Sequence, residues 1–160
     1  MADSTDRDAI HTAEREAEEE IGLKSEFYST LGCLPPVADV YPTMITPVVG
    51  LLHSKFVDYR LLLDEAAEAF YLELKPFLFR KNNHQMVDIG EHFVAHHFDR
   101  GDDQIWGITA YEILTLAALV YQQIPDFPVF RHNEKLDLEN FQTQLRRLFY
   151  QILLHGNQHM

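Results

Sequence analysis

The run Glu14-Arg15-Glu16-Ala17-Glu18-Glu19-Glu20-Ile21-Gly22-Leu23 sets five carboxylates within ten residues and then meets a glycine. On a helix, positions 16, 19 and 20 are related by three and four residues. Glu16, Glu19 and Glu20 therefore project from one face, within reach of a common hard cation, while Glu18 points elsewhere. Like charges on adjacent turns repel one another, and Mg²⁺ or Mn²⁺ would turn that repulsion into coordination. A merely solvated acidic helix is the competing reading, because Glu-rich helices are common.

Composition describes the surroundings of this segment. With 160 residues, of which 46% are hydrophobic and 12% aromatic, the chain can bury one core of ordinary size, and a single domain is expected. A net charge of -12 argues against a nucleic-acid or anionic-membrane partner, so a polyanionic substrate would need a metal between it and the protein. Cys33 is the one cysteine and has no internal disulfide partner. No basic-then-apolar segment opens the sequence, and an intracellular, cytoplasmic protein is the expectation. The most apolar run, Ile113 to Tyr121, is too short to cross a bilayer and reads as a buried helix. Gln158-His159-Met160 does not form a Ser-Lys-Leu type of peroxisomal address.

The elements that must position the carboxylates follow from periodicity and punctuation. A helix is expected from Asp8 to Gly22, with Gly22 as its C-cap. Phe27 to Leu34 and Met44 to His53 read as two strands, with Pro35-Pro36 and Tyr41-Pro42-Thr43 punctuating a long loop between them. Ala69 to Leu74 reads as a short strand and Lys75 to Phe79 as a turn or short helix, followed by a break at Lys81-Asn82-Asn83. His92 to Phe98 and Gln104 to Gly107 form a predicted hairpin turning at Gly101-Asp102-Asp103. Helices are expected over about 109–123, presenting Ile113, Leu116, Ala117 and Val120, and over about 137–154. Neither a repeat nor a domain linker is visible.

The acidic helix also carries a fixed grammar. Arg15 to Leu23 matches, at every specified position, Arg-Glu-apolar-any-Glu-Glu-any-Gly-apolar, and so resembles the core of the Nudix box. The lead Asp3-Ser4-Thr5-Asp6-Arg7-Asp8 followed by Thr12-Ala13 is similar to the Nudix branch that acts on coenzyme A. Ile45 to Leu51, Glu65 five residues before Phe70-Tyr71-Leu72, and Gly107-Ile108-Thr109-Ala110 agree in order, so the resemblance runs from Asp3 to about Val120.

That resemblance implies an α+β fold, the Nudix-type α/β/α sandwich with a mixed sheet, in one partial domain over residues 1–160. The family's Phe-Pro-Gly-Gly turn and an earlier Arg-containing signature would precede Met1, so the N-terminal strands are expected to be lacking. It implies hydrolysis of the pyrophosphate of a small-molecule nucleoside diphosphate derivative, coenzyme A or acyl-coenzyme A above all, to phosphopantetheine and adenosine 3',5'-bisphosphate. Mg²⁺ or Mn²⁺ is the implied cofactor. Glu16 and Glu20 become the principal metal ligands, Glu19 a further ligand or water-orienting group, and Arg15 the partner that holds a box carboxylate. Glu65 is a candidate additional acid from a loop, or else an ordinary exposed one. A peroxisomal location is open by resemblance. The alternative function is a truncated, catalytically impaired Nudix-like binding or regulatory protein.

Other constellations carry less. His92, His96 and His97 near Glu91 could suggest zinc, but no second ligand motif accompanies them, and structural histidines are expected. Cys33 reads as a small buried residue, and Trp106 as core rather than a base-stacking platform. No nucleophile elbow, P-loop or dinucleotide glycine pattern occurs.

Overall fold

Asp8 is extended at φ -163°, and its side chain accepts a hydrogen bond from the His11 backbone N–H at 2.9 Å, which starts the first helix, α1, Ala9–Ile21. Gly22 stops it in the left-handed region at φ 67°. Its N–H donates to the Glu18 carbonyl at 3.0 Å and that of Leu23 to the Ala17 carbonyl at 3.1 Å. The expected helix and its cap are both present. The computed structural model describes residues 3–38, 44–54, 69–81, 84–89, 93–101 and 103–129, which divide into two compact units, one ending at Tyr71 and the other beginning at Leu72. The expected helix over 137–154, Glu65, Glu91 and His92 lie outside the described residues.

In the first unit a short 3₁₀ turn, Ser25–Phe27, leads from α1 into strands β1 (Tyr28–Cys33), β2 (Val37–Ala38), β3 (Met44–Ile45) and β4 (Val48–Leu52). β1 pairs antiparallel with β4, and β2 with β3. The two expected runs thus pair as strands, and the second is interrupted by proline. Pro35-Pro36 separates β1 from β2. Pro47 has no N–H to donate, so it splits β3 from β4 while its carbonyl accepts from Leu34 at 2.9 Å. A bulge between Thr30 and Gly32, with Gly32 at φ 147°, re-aims the end of β1. Tyr28 opposite Leu52 and Thr30 opposite Gly50 place four side-chain positions on one sheet face, and Val48 joins them by alternation. Ala13, Glu14 and Ala17 of α1 meet that face.

The second unit opens with a 3₁₀ helix at Lys75–Leu78 and continues through β5 (His84–Ile89), β6 (Phe93–Arg100) and β7 (Asp103–Trp106) into α2, Gly107–Tyr121. The three strands form an antiparallel sheet in the order β5-β6-β7. Arg100 pairs with Asp103 across the expected hairpin, and Gly101 supplies a positive φ of 85° at its turn. Phe77, Leu78, Phe98, Ile105, Leu114 and Phe127 are the large side chains of the buried core.

Several expectations need correction. Ala69 to Leu74 is not assigned to a strand: Leu72 and Leu74 pack against the second unit's core, and the segment belongs to none of the described sheets. Alternation reports a one-sided face, whereas a strand also needs a neighbour for its backbone. β5 lies where no strand is expected, because His-Gln-Met-Val-Asp-Ile offers little apolar alternation. α2 buries Ala110, Leu114, Thr115, Ala117, Ala118 and Leu119, while Val120 is exposed. A helix apolar on most sides does not reveal its inner face by spacing. Trp106 is 69% exposed and is not core, since the strand that buries Ile105 turns the next residue outward. Both units combine helix with antiparallel sheet, an α+β composition.

Candidate metal-binding face on the first helix

Arg15 organises this face. Its Nε donates to Asp6 Oδ1 at 3.1 Å and its Nη2 to Asp6 Oδ2 at 3.0 Å, a two-point pairing that matches the guanidinium fork to a carboxylate. Nη1 donates to Glu19 Oε2 at 2.6 Å, one helical turn on, and Nη2 lies 3.5 Å from Glu16 Oε1. The Asp6 side chain is only 3% exposed although it precedes the helix, and Asp6 Oδ2 also accepts from the Asp3 N–H at 2.8 Å. The Arg15 hydrogen bonds, followed by that backbone N–H, hold the Asp6 carboxyl well below the usual carboxylate range. Arg15 is in turn held still more firmly protonated, first by Asp6.

The structure therefore brings Glu16 and Glu19 around one arginine. Glu20 is exposed on the same side of α1, and Glu18 is exposed as well. Among the described residues no group of three or more His, Cys, Asp or Glu side chains converges as a cation cage. The donor set nonetheless suits a hard divalent ion. Glu16, Glu19 and Glu20 offer carboxylate oxygens from consecutive turns, and the Glu19 side chain is 58% exposed, with room to turn. Arg15 competes for the same oxygens, so its own anchoring matters to any cation that binds there.

The opposite face of α1 looks into the sheet. Glu14 Oε1 accepts a 2.6 Å hydrogen bond from the Thr30 hydroxyl of β1, which ties helix to strand. Burial and then the charges of Glu14 and Glu18 push the Tyr28 phenol up from its ordinary value. Neither the contact of Asp6 with Arg15 nor that of Glu14 with Thr30 is marked in the sequence. Asp6 lies outside the helical period that relates the box residues, and Glu14 is one letter in an acidic run that gives no sign of which member turns inward.

Among the described residues the histidines join no cluster of metal-ligating side chains. His96 is buried, its Nε2–H donating to the Val129 carbonyl at 3.0 Å, which leaves Nδ1 to accept from His84 Nε2 at 2.9 Å. His84 stacks on Phe127 at 3.6 Å between ring centroids. His96 is thus a core histidine, and its neighbour His97 turns to the other sheet face, beside Trp106. Cys33 is half-buried rather than fully enclosed, and burial pushes its thiol up. Among the described residues no helix is long and apolar enough to cross a membrane.

The sequence that builds this helix and the strands after it has relatives among known proteins. The chain is 37% identical over 130 residues to the uncharacterized Nudix hydrolase NudL of Pectobacterium atrosepticum, covering 79% of this chain and 65% of that protein. It is 32% identical over 152 residues to Nudix hydrolase 22, chloroplastic, of Arabidopsis thaliana, covering 90% of this chain and 50% of that protein. It is 33% identical over 133 residues to Nudix hydrolase 15, mitochondrial, of the same plant, covering 79% and 47%. No family model matches. These relatives support the Nudix hydrolase family for this chain. It spans between about half and two thirds of the length of these relatives.

Proposed function

We propose that the protein is a Mg²⁺- or Mn²⁺-dependent Nudix hydrolase that cleaves the pyrophosphate of a nucleoside diphosphate derivative. Its substrate is coenzyme A or acyl-coenzyme A, and its products are phosphopantetheine and adenosine 3',5'-bisphosphate. The observation that carries this reading is the box Arg15 to Leu23 on a single capped helix whose arginine is gripped from outside by Asp6. The coenzyme A assignment is supported by the acidic lead from Asp3 to Asp8 and by Thr12-Ala13.

Glu16 and Glu20 are the residues that would hold the cation, and Glu19 is a further ligand or orients the attacking water. When bound, the cation neutralises phosphate oxygens and makes water a stronger nucleophile near neutral pH. Arg15 is a positioning residue that keeps Glu19 at 2.6 Å and stands 3.5 Å from Glu16. Glu65 supplies the additional acid. In the same reading residues 1–160 form part of one α/β/α sandwich whose mixed sheet is completed by strands preceding the box, together with a Phe-Pro-Gly-Gly turn.

Calorimetric Mn²⁺ titration tests the ligand set. Glu16→Gln and Glu20→Gln should lose far more affinity than Glu18→Gln, which removes the same charge from another face. Equal losses for all three would leave only a solvated acidic helix. Activity is tested by Mg²⁺-dependent release of adenosine 3',5'-bisphosphate from coenzyme A. The 160-residue chain should be slow or inert, and a form extended upstream through Phe-Pro-Gly-Gly should be active, with Glu20→Gln abolishing its turnover. If neither form acts on coenzyme A, its acyl esters or other nucleoside diphosphate derivatives, the enzyme reading is wrong and a metal-binding regulatory protein takes its place.

A further inference from the structure

On the sheet side of α1, away from Glu16 and Glu20, helix and sheet do not close on one another. A cavity of about 200 Å³, open to solvent on one side, lies between them. Its cause is visible in the sequence: Ala13 and Ala17 on the helix and Gly50 on β4 are the small residues of its wall. A Cβ added at Gly50 would meet the Tyr28 ring at 3.4 Å, an ordinary contact, so the glycine is not there to relieve a clash and its replacement would take up free space. Cavities on the order of 150 Å³ with apolar walls take a benzene-sized molecule. This one has apolar walls at Ala17, Val48 and Leu52 but is not wholly apolar.

Glu14 is its charged wall. One carboxylate oxygen accepts from the Thr30 hydroxyl at 2.6 Å, and Oε2 is left to take a second donor. The charges of Glu14 and Glu18 are felt at Tyr28, whose ring also lines the space. A purely apolar ligand would strip water from Glu14 without replacing its hydrogen bonds, and an anion would be repelled. A cation with an apolar body satisfies both walls, and the Tyr28 ring adds a π face for it.

We propose that the cavity between α1 and the β1-β4 sheet is a binding site for a small organic ammonium compound, whose ammonium donates to Glu14 and whose apolar body rests against Ala17, Val48 and Leu52. This site is separate from the box carboxylates and does not depend on the hydrolase reading.

The test titrates the full 160-residue chain with benzylammonium, neutral benzyl alcohol and anionic phenylacetate, following backbone amide shifts by NMR. Benzylammonium should bind more tightly than the other two and shift the amides of Thr30, Val48 and Gly50. Glu14→Gln keeps an acceptor for Thr30 but removes the charge. It should weaken benzylammonium by roughly tenfold and leave benzyl alcohol unchanged. Gly50→Val, a residue suited to a strand, should abolish binding by filling the space. Ala17→Leu fills it from the helix side and replaces Gly50→Val if circular dichroism shows that variant unfolded. The proposal is overturned if benzylammonium fails to bind, binds no better than benzyl alcohol, is unaffected by Glu14→Gln, persists in the filled variants, or shifts amides spread over the acidic surface instead of those around the cavity.

Discussion

Asp6 and Arg15 are nine positions apart and meet through two parallel hydrogen bonds, at 3.1 and 3.0 Å, one residue ahead of the helix cap's flank and the other midway along α1. The pairing makes a buried anion outside the box the partner of the box arginine. With Asp6 in place, two of the Arg15 nitrogens are engaged by that anion while Nη1 reaches Glu19. Replacement by an amide should leave the guanidinium to lean on Glu19 and Glu16, the oxygens a cation would use. Asp6→Asn is therefore expected to lower Mn²⁺ affinity by roughly tenfold, in the range seen when outer-shell partners of metal ligands are removed. Titration against wild type and Asp3→Asn checks this, and unchanged affinity would reduce Asp6 to a structural role at the helix start.

The buried histidine pair predicts an acid-side loss of stability. Burial first, then neighbouring His96 and Arg80, bring the His84 pKa down to about 4 from 6.5, with Asp126 opposing; burial lowers that of His96 as well. The unfolded chain binds these protons more readily, so stability is intact above about pH 6.5 and falls as the pH drops from there towards 4. The contribution from His84 is on the order of 2–3 kcal/mol. Urea denaturation across that range should show the decline, and His84→Gln should flatten it.

Thr30→Val keeps the shape of the side chain and removes the donor to Glu14. The 2.6 Å bond is charge-assisted and partly buried, so the substitution should cost about 1–2 kcal/mol. A loss of that size in denaturant midpoint, with an unchanged slope, is the expected result.

Gly22→Ala tests the end of the box helix. At φ 67° an alanine Cβ is strained, and a cost of about 1 kcal/mol is expected from the left-handed position alone. Thermal unfolding followed by circular dichroism measures it.

What could be read from the sequence was what depends on neighbours along the chain. The helix from Asp8 to Gly22 needed only a cap at each end and a period between them, and both were there. The β6-β7 hairpin needed a glycine at its turn. Hidden features depended on contacts distant in sequence. His84 and His96 are joined across two strands, and Asp6 reaches Arg15 from outside the helix. The face of α2 was misread because its apolar residues leave no polar stripe to mark the outside. The trio Glu16, Glu19 and Glu20 could be placed on one side of α1 by arithmetic, but no spacing rule announced that Arg15 would draw Glu19 towards itself.

Trp106 is the chain's one tryptophan, and it stands 69% exposed at the end of β7. Its indole emission comes from a ring already bathed in solvent in the native state, open to quenching by acrylamide or iodide. Unfolding has little further solvent to offer it, so the emission maximum should move only slightly while helical ellipticity collapses. A flat fluorescence trace beside a steep dichroism trace would then be a property of where the fluorophore sits, not the signature of an intermediate, and the buried aromatic cluster of Phe77, Phe98 and Phe127 would melt unseen by the indole.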